Sequence, residues 1–144
     1  MDTENINQLC DAVRECSFGL HKHLRHGHLE KIYENGLAHR LRKLDVAVQQ
    51  QASVPVYDED GTILGDLNAD LLVANELIVE LKAVCAVHDD HVAQLLGYLR
   101  GSGKRYGLLL TSEARNFRSN VTSSTLYLNL SFCAFSCLLW PNKI

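Results

Sequence analysis

The chain has 144 residues, of which 47% are hydrophobic and 22% charged, and its formal net charge is −3. That length suits one domain with a sizeable core and is too short for a second, and the negative balance excludes an overall basic field for nucleic acid. Five cysteines without a CxxC pair, behind the polar start Met1-Asp2-Thr3-Glu4-Asn5, read as reduced thiols of a cytoplasmic protein rather than a secreted disulfide framework.

In chain order, Ile6 to His23 suits a first helix whose apolar stripe is Leu9, Val13, Cys16 and Leu20, expected to pack on a sheet. A second helix is expected from Leu29 to Leu44, with Tyr33, Leu37, Leu41 and Leu44 as its buried stripe. Val46 to Gln51 and Ser53 to Tyr57 read as two short strands. The turn Asp58-Glu59-Asp60-Gly61 follows; it lacks the alternating ligands and distal glutamate of a calcium loop and reads as a hairpin turn. Leu67 to Val73 and Leu77 to Ala83 alternate as strands around the loop Ala74-Asn75-Glu76. A helix from Asp89 to Arg100 buries Val92, Leu95, Leu96 and Leu99, Gly101-Ser102-Gly103 ends it, and Tyr106 to Thr111 is a last buried strand. Beyond it lie a Ser/Thr/Asn-rich stretch, Ser112 to Thr125, and the apolar run Leu126 to Trp140. Fifteen residues of helix span only about 22 Å, short of the roughly 30 Å of a bilayer core, so no membrane span is expected. That run instead adds a strand pair or a helix to the domain, is a tail without a native role, or offers an apolar contact for an oligomer.

The chemistry concentrates in the second hairpin. With Leu67, Ala69, Leu71 and Val73 on one face, Asp66, Asn68 and Asp70 point to the other, and Glu80 and Lys82 share one face of the next strand. A three-residue hairpin pairs Val73 with Leu77 and so sets Asp70 opposite Glu80, the two carboxylates roughly 5 Å apart. Like charges so placed destabilise a ladder, which makes sense if a divalent cation sits between them with Lys82 alongside. Glu30 borders the buried stripe of the second helix. By itself it reads as a first-turn acid favouring the helix dipole, with metal coordination or a hydrogen bond to the sheet as the alternative. His91, Gln94 and Tyr98 fall together on one face of the third helix, a polar repeat that suggests a site beside the plainer reading of a solvated surface. Basic residues gather at Lys22 and Arg25, at Arg40, Arg42 and Lys43, and at Arg100, Lys104 and Arg105. They suit a phosphate track or, equally, helix ends favouring the dipole. Seven histidines include the dense set His21, His23, His26 and His28, but their spacing around a helix end does not suit structural zinc.

Asp70, Glu80 and Lys82 together form Asp-x9-Glu-x-Lys, with Ala69 where a proline would stand, and resemble the PD-(D/E)XK nuclease superfamily. Gly27-His28-Leu29-Glu30-Lys31-Ile32-Tyr33 reads GxxExxY, and His91 to Tyr98 holds a QxxxY, so the chain resembles more closely the GxxExxY family within it. The resemblance runs from about residue 5 to residue 111. It implies an α/β, restriction-endonuclease-like core with a central mixed sheet flanked by helices in the order α-α-β-β-β-β-α-β. The domain so implied is 1–111, and 112–144 is a divergent tail. It implies a Mg²⁺ site, with Mn²⁺ as a substitute, held by Asp70, Glu80, the Leu81 carbonyl and Glu30. Asp70, Glu80 and Lys82 carry catalysis, while Gln94 and Tyr98, with His91 beside them, contact the substrate backbone. The expected activity is metal-dependent hydrolysis of nucleic acid, most simply DNA, against the alternatives of a non-catalytic nucleic-acid-binding module on the same fold and a structural or toxin-like interaction protein acting through the apolar tail.

Overall fold

The computed structural model describes residues 3–25, 27–84, 88–111 and the backbone of 125–129. Its elements are α1 (Thr3–Leu24), α2 (Glu30–Arg42), β1 (Val48–Tyr57), β2 (Ile63–Val73), β3 (Leu77–Lys82), α3 (Asp89–Ser102), β4 (Tyr106–Thr111) and β5 (Thr125–Asn129). They form one mixed sheet in the order β1-β2-β3-β4-β5. β1/β2, β2/β3 and β4/β5 are antiparallel, and β3 runs parallel to β4. A parallel pair needs a crossover, and α3 supplies it. The α/β restriction-endonuclease-like architecture expected from the sequence is therefore the one observed, with an altered strand count on each side of α3.

Helices cover both faces. On one face Ile6, Cys10, Val13 and Leu20 of α1 and Tyr33, Leu37, Ala38 and Leu41 of α2 join Leu71, Val73, Leu77, Val79, Leu81, Leu108 and Leu110. α1 lies chiefly on α2, and its Ile6, Cys10, Val13 and Leu20 share one buried cluster with the strands, as expected of a helix that packs on the sheet. On the other face Leu95 and Leu99 of α3 pack with Ala52, Val54, Ala69, Leu72, Ile78 and Leu109. β3 and β4 thus bury both faces, as parallel strands between helical layers do. No helix among the described residues is long and apolar enough to cross a membrane.

Several sequence expectations are corrected. Val46–Gln51 and Ser53–Tyr57 are not two strands. They belong to a single β1 whose register against β2 is the same on both sides of Gln51. Gln51 itself has a left-handed backbone, φ 49°, and neither it nor Asp70 takes part in the ladder between Gln50↔Leu71 and Ala52↔Ala69. The kink turns the strand pair over: Val48, Leu71 and Val73 face the α1/α2 core, whereas Ala52 and Ala69 face α3. Leu67, Ala69, Leu71 and Val73 therefore do not share one face, and the phase changes at Asp70. Leu44 is 57% exposed rather than buried, because α2 ends at Arg42 and the left-handed Asp45, φ 58°, turns the chain away. On α3, Tyr98 packs beside Leu95, Leu99 and Val92, where Leu96 was expected.

The turns behave as read. In the acidic hairpin turn Gly61 has φ 85°, its N–H donates to the Asp58 carbonyl at 3.0 Å, and the Thr62 N–H donates to Asp60 Oδ1 at 2.8 Å. The loop Ala74-Asn75-Glu76 joins β2 to β3 with Val73 paired to Leu77. β5 adds a strand against Tyr106–Leu110 of β4. The remainder of the C-terminal segment, with its apolar run and any oligomer contact there, lies outside the described residues.

Candidate active site

The antiparallel ladder of β2 and β3 pairs Val73↔Leu77, Leu72↔Ile78 and Leu71↔Val79, and stops one step short of Asp70 and Glu80. The strands part there because the Asp70 side chain takes the position of a backbone acceptor: Leu81 N–H donates to Asp70 Oδ2 at 2.8 Å. β3 remains anchored on its other side, where Glu80 pairs with Leu109 and Lys82 with Thr111. The opening therefore presents Glu80 and Lys82 of β3, with Asp70 of β2 beside them, at the carboxyl end of the parallel pair β3/β4, where ligand sites of open α/β sheets usually lie.

Glu80 is only 3% exposed, and among the described residues its Oε1 is buried without a hydrogen-bond partner. Lys82 Nζ stands 3.8 Å from the other oxygen, Oε2. Burial above all, then the nearby Asp70 charge, pushes the Glu80 carboxyl from 4.5 up to about 8, and Lys82 offsets only part of this. A buried carboxylate with an unpaired oxygen and a second carboxylate nearby is costly unless a cation compensates it. The donors are all oxygens: Asp70, Glu80 and, on the strand between Glu80 and Lys82, the Leu81 carbonyl. Such a set fits a hard divalent cation such as Mg²⁺ or Mn²⁺. Among the described residues no three His, Cys, Asp or Glu side chains cluster as a metal site, so carboxylates alone do not complete the shell.

Glu30 opens α2, and its Oε2 accepts the Ala83 N–H at 2.9 Å, one residue past Lys82. The hydrogen bond to the sheet weighed for this acid is thus present, and it sets the α2 N-terminus at the end of β3. Tyr33, the last residue of GxxExxY, is buried, and its hydroxyl donates to the Arg25 carbonyl. The His28 ring lies edge-on to it at 6.0 Å and the His21 ring stacks at 6.5 Å. That tyrosine fastens the α1–α2 connection and so fixes where α2 begins.

The third-helix residues are engaged within their own element. Gln94 Nε2 donates to the Tyr98 hydroxyl at 3.0 Å, and His91 Nδ1 accepts the His88 N–H at 3.2 Å at the start of α3. Of the basic residues considered for a phosphate track, Lys104 donates to the Asn75 carbonyl at 2.6 Å, and Arg42 donates to the Val48 carbonyl at 3.1 Å. These two brace loops.

Two residues escaped the sequence reading. Glu34, one turn beyond Glu30, is a charged side chain only 3% exposed. It accepts from Lys31 Nζ at 2.6 Å, Gln50 Nε2 at 3.0 Å and Gln51 Nε2 at 2.8 Å. Burial pushes its carboxyl up, but these hydrogen bonds and the Lys31 charge together bring it below 4.5. Gln51 in turn reaches Asp70 Oδ1 at 3.3 Å. The one available signal was Glu34 lying beside Tyr33 and Leu37 on the buried side of α2; nothing local marked Gln51.

A mixed sheet that opens at one hairpin to show two carboxylates and a lysine, with helices on both faces, defines the restriction-endonuclease-like class. Comparison with protein families agrees: a model of the PD-(D/E)XK nuclease superfamily matches residues 7–123. The chain belongs to that superfamily, and the match extends past residue 111, where the sequence reading ended the nuclease-like region. Neither the curated proteins nor the solved structures gave a match.

Proposed function

We propose that this chain is a metal-dependent nuclease of the GxxExxY type that hydrolyses phosphodiester bonds in DNA. The observation that carries the reading is the buried Glu80, its Oε1 without a hydrogen-bond partner among the described residues, Lys82 3.8 Å from its other oxygen and the Asp70 charge close by. Asp70, Glu80 and the Leu81 carbonyl would hold Mg²⁺ or Mn²⁺, and Glu30, hydrogen-bonded to the Ala83 N–H at the end of the same strand, would join them if the bound ion draws its carboxylate in. When bound, such an ion polarises the scissile phosphate and lowers the pKa of water.

The chain's own residues do the rest. Lys82 orients the attacking water and neutralises charge that develops on the phosphate oxygens. Asp70, held by the Leu81 N–H, keeps its carboxylate aimed across the opening. Gln94 and Tyr98 position the substrate backbone, a role that rests on the resemblance to nucleases with a QxxxY helix, and His91 at the start of the same helix borders them. The cytoplasm is the proposed compartment.

The test is an assay on circular and linear DNA with Mg²⁺, with Mn²⁺ and with chelator. Metal-dependent cleavage lost in Asp70→Ala and Glu80→Ala supports the reading, and cutting of the closed circle identifies an endonuclease. Retention of DNA without cleavage under any metal would instead support a binding module on this fold.

A further inference from the structure

Gln51 combines features that an exposed strand residue does not ordinarily need. It holds a left-handed backbone, φ 49°, in the middle of β1, a conformation that L side chains avoid and that, outside turns, concentrates at functional sites. It faces Asp70 at a step where β1 and β2 leave the ladder while the register stays the same on both sides. Its amide nitrogen reaches Glu34 Oε2 at 2.8 Å and Asp70 Oδ1 at 3.3 Å. A primary amide has two N–H donors, one for each anion, and its oxygen turned toward either carboxylate would be repelled.

The far end of this bridge is rigid. Glu34 is buried and held on α2 by Lys31 and Gln50, and Gln50 also donates to Asn35 Oδ1 at 2.8 Å. The near end meets the one Asp70 oxygen that the Leu81 N–H does not hold. Asp70 is thereby gripped from both sides, from β3 through Leu81 and from α2 through Gln51. Gln51 is neutral, so it orients the carboxylate without cancelling its charge. A lysine in its place would compete with a cation for that charge.

We propose that Gln51 is a positioning residue for Asp70, transmitting the fixed placement of the buried Glu34 to the candidate metal ligand. The left-handed backbone of Gln51 brings its amide between the two acids. The inference rests on the metal-dependent reading of Asp70 and Glu80 and extends it to the residues that support them.

The test compares Gln51→Gly, which removes the amide and suits the left-handed backbone, with Gln51→Met, which keeps the length without the donor. Mn²⁺ affinity is measured by calorimetry, melting temperature in chelator, and kcat and KM on DNA. The expected result for both is Mn²⁺ affinity weaker by about 10- to 100-fold, the range typical for loss of an outer-shell partner. A lower kcat at unchanged KM should accompany it, with the Gln51→Gly protein melting no lower than wild type. Wild-type Mn²⁺ affinity in either variant, with Asp70→Ala abolishing binding, overturns the role of Gln51 and leaves the metal reading intact. If Gln51→Gly fails to fold, Gln51→Met decides alone. A wild-type protein that binds no Mn²⁺ overturns both readings.

Discussion

Lys82 stands beside Glu80 on a strand paired on its other side to β4, so its removal should leave the framework in place. Lys82→Ala is expected to lower turnover on DNA by about a hundredfold or more with Mn²⁺ binding retained, since the contribution of such a cation is greatest where charge develops; steady-state kinetics beside calorimetry checks this. For Glu30, exchange to Gln preserves an oxygen able to accept the Ala83 N–H but removes the charge. Glu30→Gln should therefore keep its melting temperature while losing metal affinity. A mere first-turn acid would instead lose about 0.3 to 1 kcal/mol of stability and no affinity. Glu80 predicts a pH dependence. Its folded value of about 8 lies above the ordinary 4.5, so the folded state holds the proton more tightly. That stabilisation is complete below pH 4.5 and disappears as pH rises to about 8. In chelator the melting temperature should fall across that window, Mn²⁺ should reverse the fall by binding the carboxylate form, and Glu80→Gln should flatten it. Glu34, held below 4.5, acts in the opposite sense: its contribution is present above that value and is lost as pH falls below it.

At the scale of elements, the site depends on where α2 is held, and α1 helps hold it. Gly36 of α2 lies against α1: a Cβ there would meet Leu20 Cδ1 at 2.6 Å and Cδ2 at 2.8 Å. Leu20 is buried in the α1/α2 core, and three of its side-chain atoms lie within 3.3 Å of that Cβ. On the other side of the same contact, a Cβ at Gly19 would meet only Arg40 Nη1 at 2.8 Å, the far end of a flexible side chain. Two glycine-to-alanine changes in one helix pair should therefore differ in sign. Gly36→Ala is expected to destabilise by about 1 to 3 kcal/mol through overpacking, less the helix propensity gained. Gly19→Ala is expected to stabilise by up to about 1 kcal/mol. Urea titration of both variants would show it. A stable Gly36→Ala protein would mean that α1 can slide on α2 without disturbing the site.

Over the whole molecule, the opening between β2 and β3 joins local charge to global stability. Burial of Glu80 beside Asp70 opposes folding in the charged form, a cation bound there would offset it, and a ligand that binds only the native state raises its stability by mass action, by about 2.7 kcal/mol at a hundred times its dissociation constant. Mg²⁺ and Mn²⁺ should accordingly raise the melting temperature of the wild type, and Asp70→Ala and Glu80→Ala should each remove the shift. Equal shifts in all three proteins would dissociate the acids from metal binding.

The sequence by itself determined the three helices, the last buried strand and the nearness of Asp70, Glu80 and Lys82. Periodicity marked α1, α2, α3 and β4 because a half-buried helix or a buried strand repeats its apolar residues at the period of its own backbone. The three-residue loop set the register that brings Asp70 toward Glu80 on the strand bearing Lys82, since pairing outward from a short turn leaves no freedom. The tertiary structure alone decided what surrounds them. Gln51 and Asp70 are 19 residues apart and Glu34 lies 17 from Gln51, so no local period links them. The left-handed step at Gln51 that joins two expected strands into one and turns the alternation over at Asp70 lies where the Gln51 amide reaches Glu34 of α2 and Asp70 of β2, and only packing between distant segments can hold a backbone in a conformation its own residue disfavours.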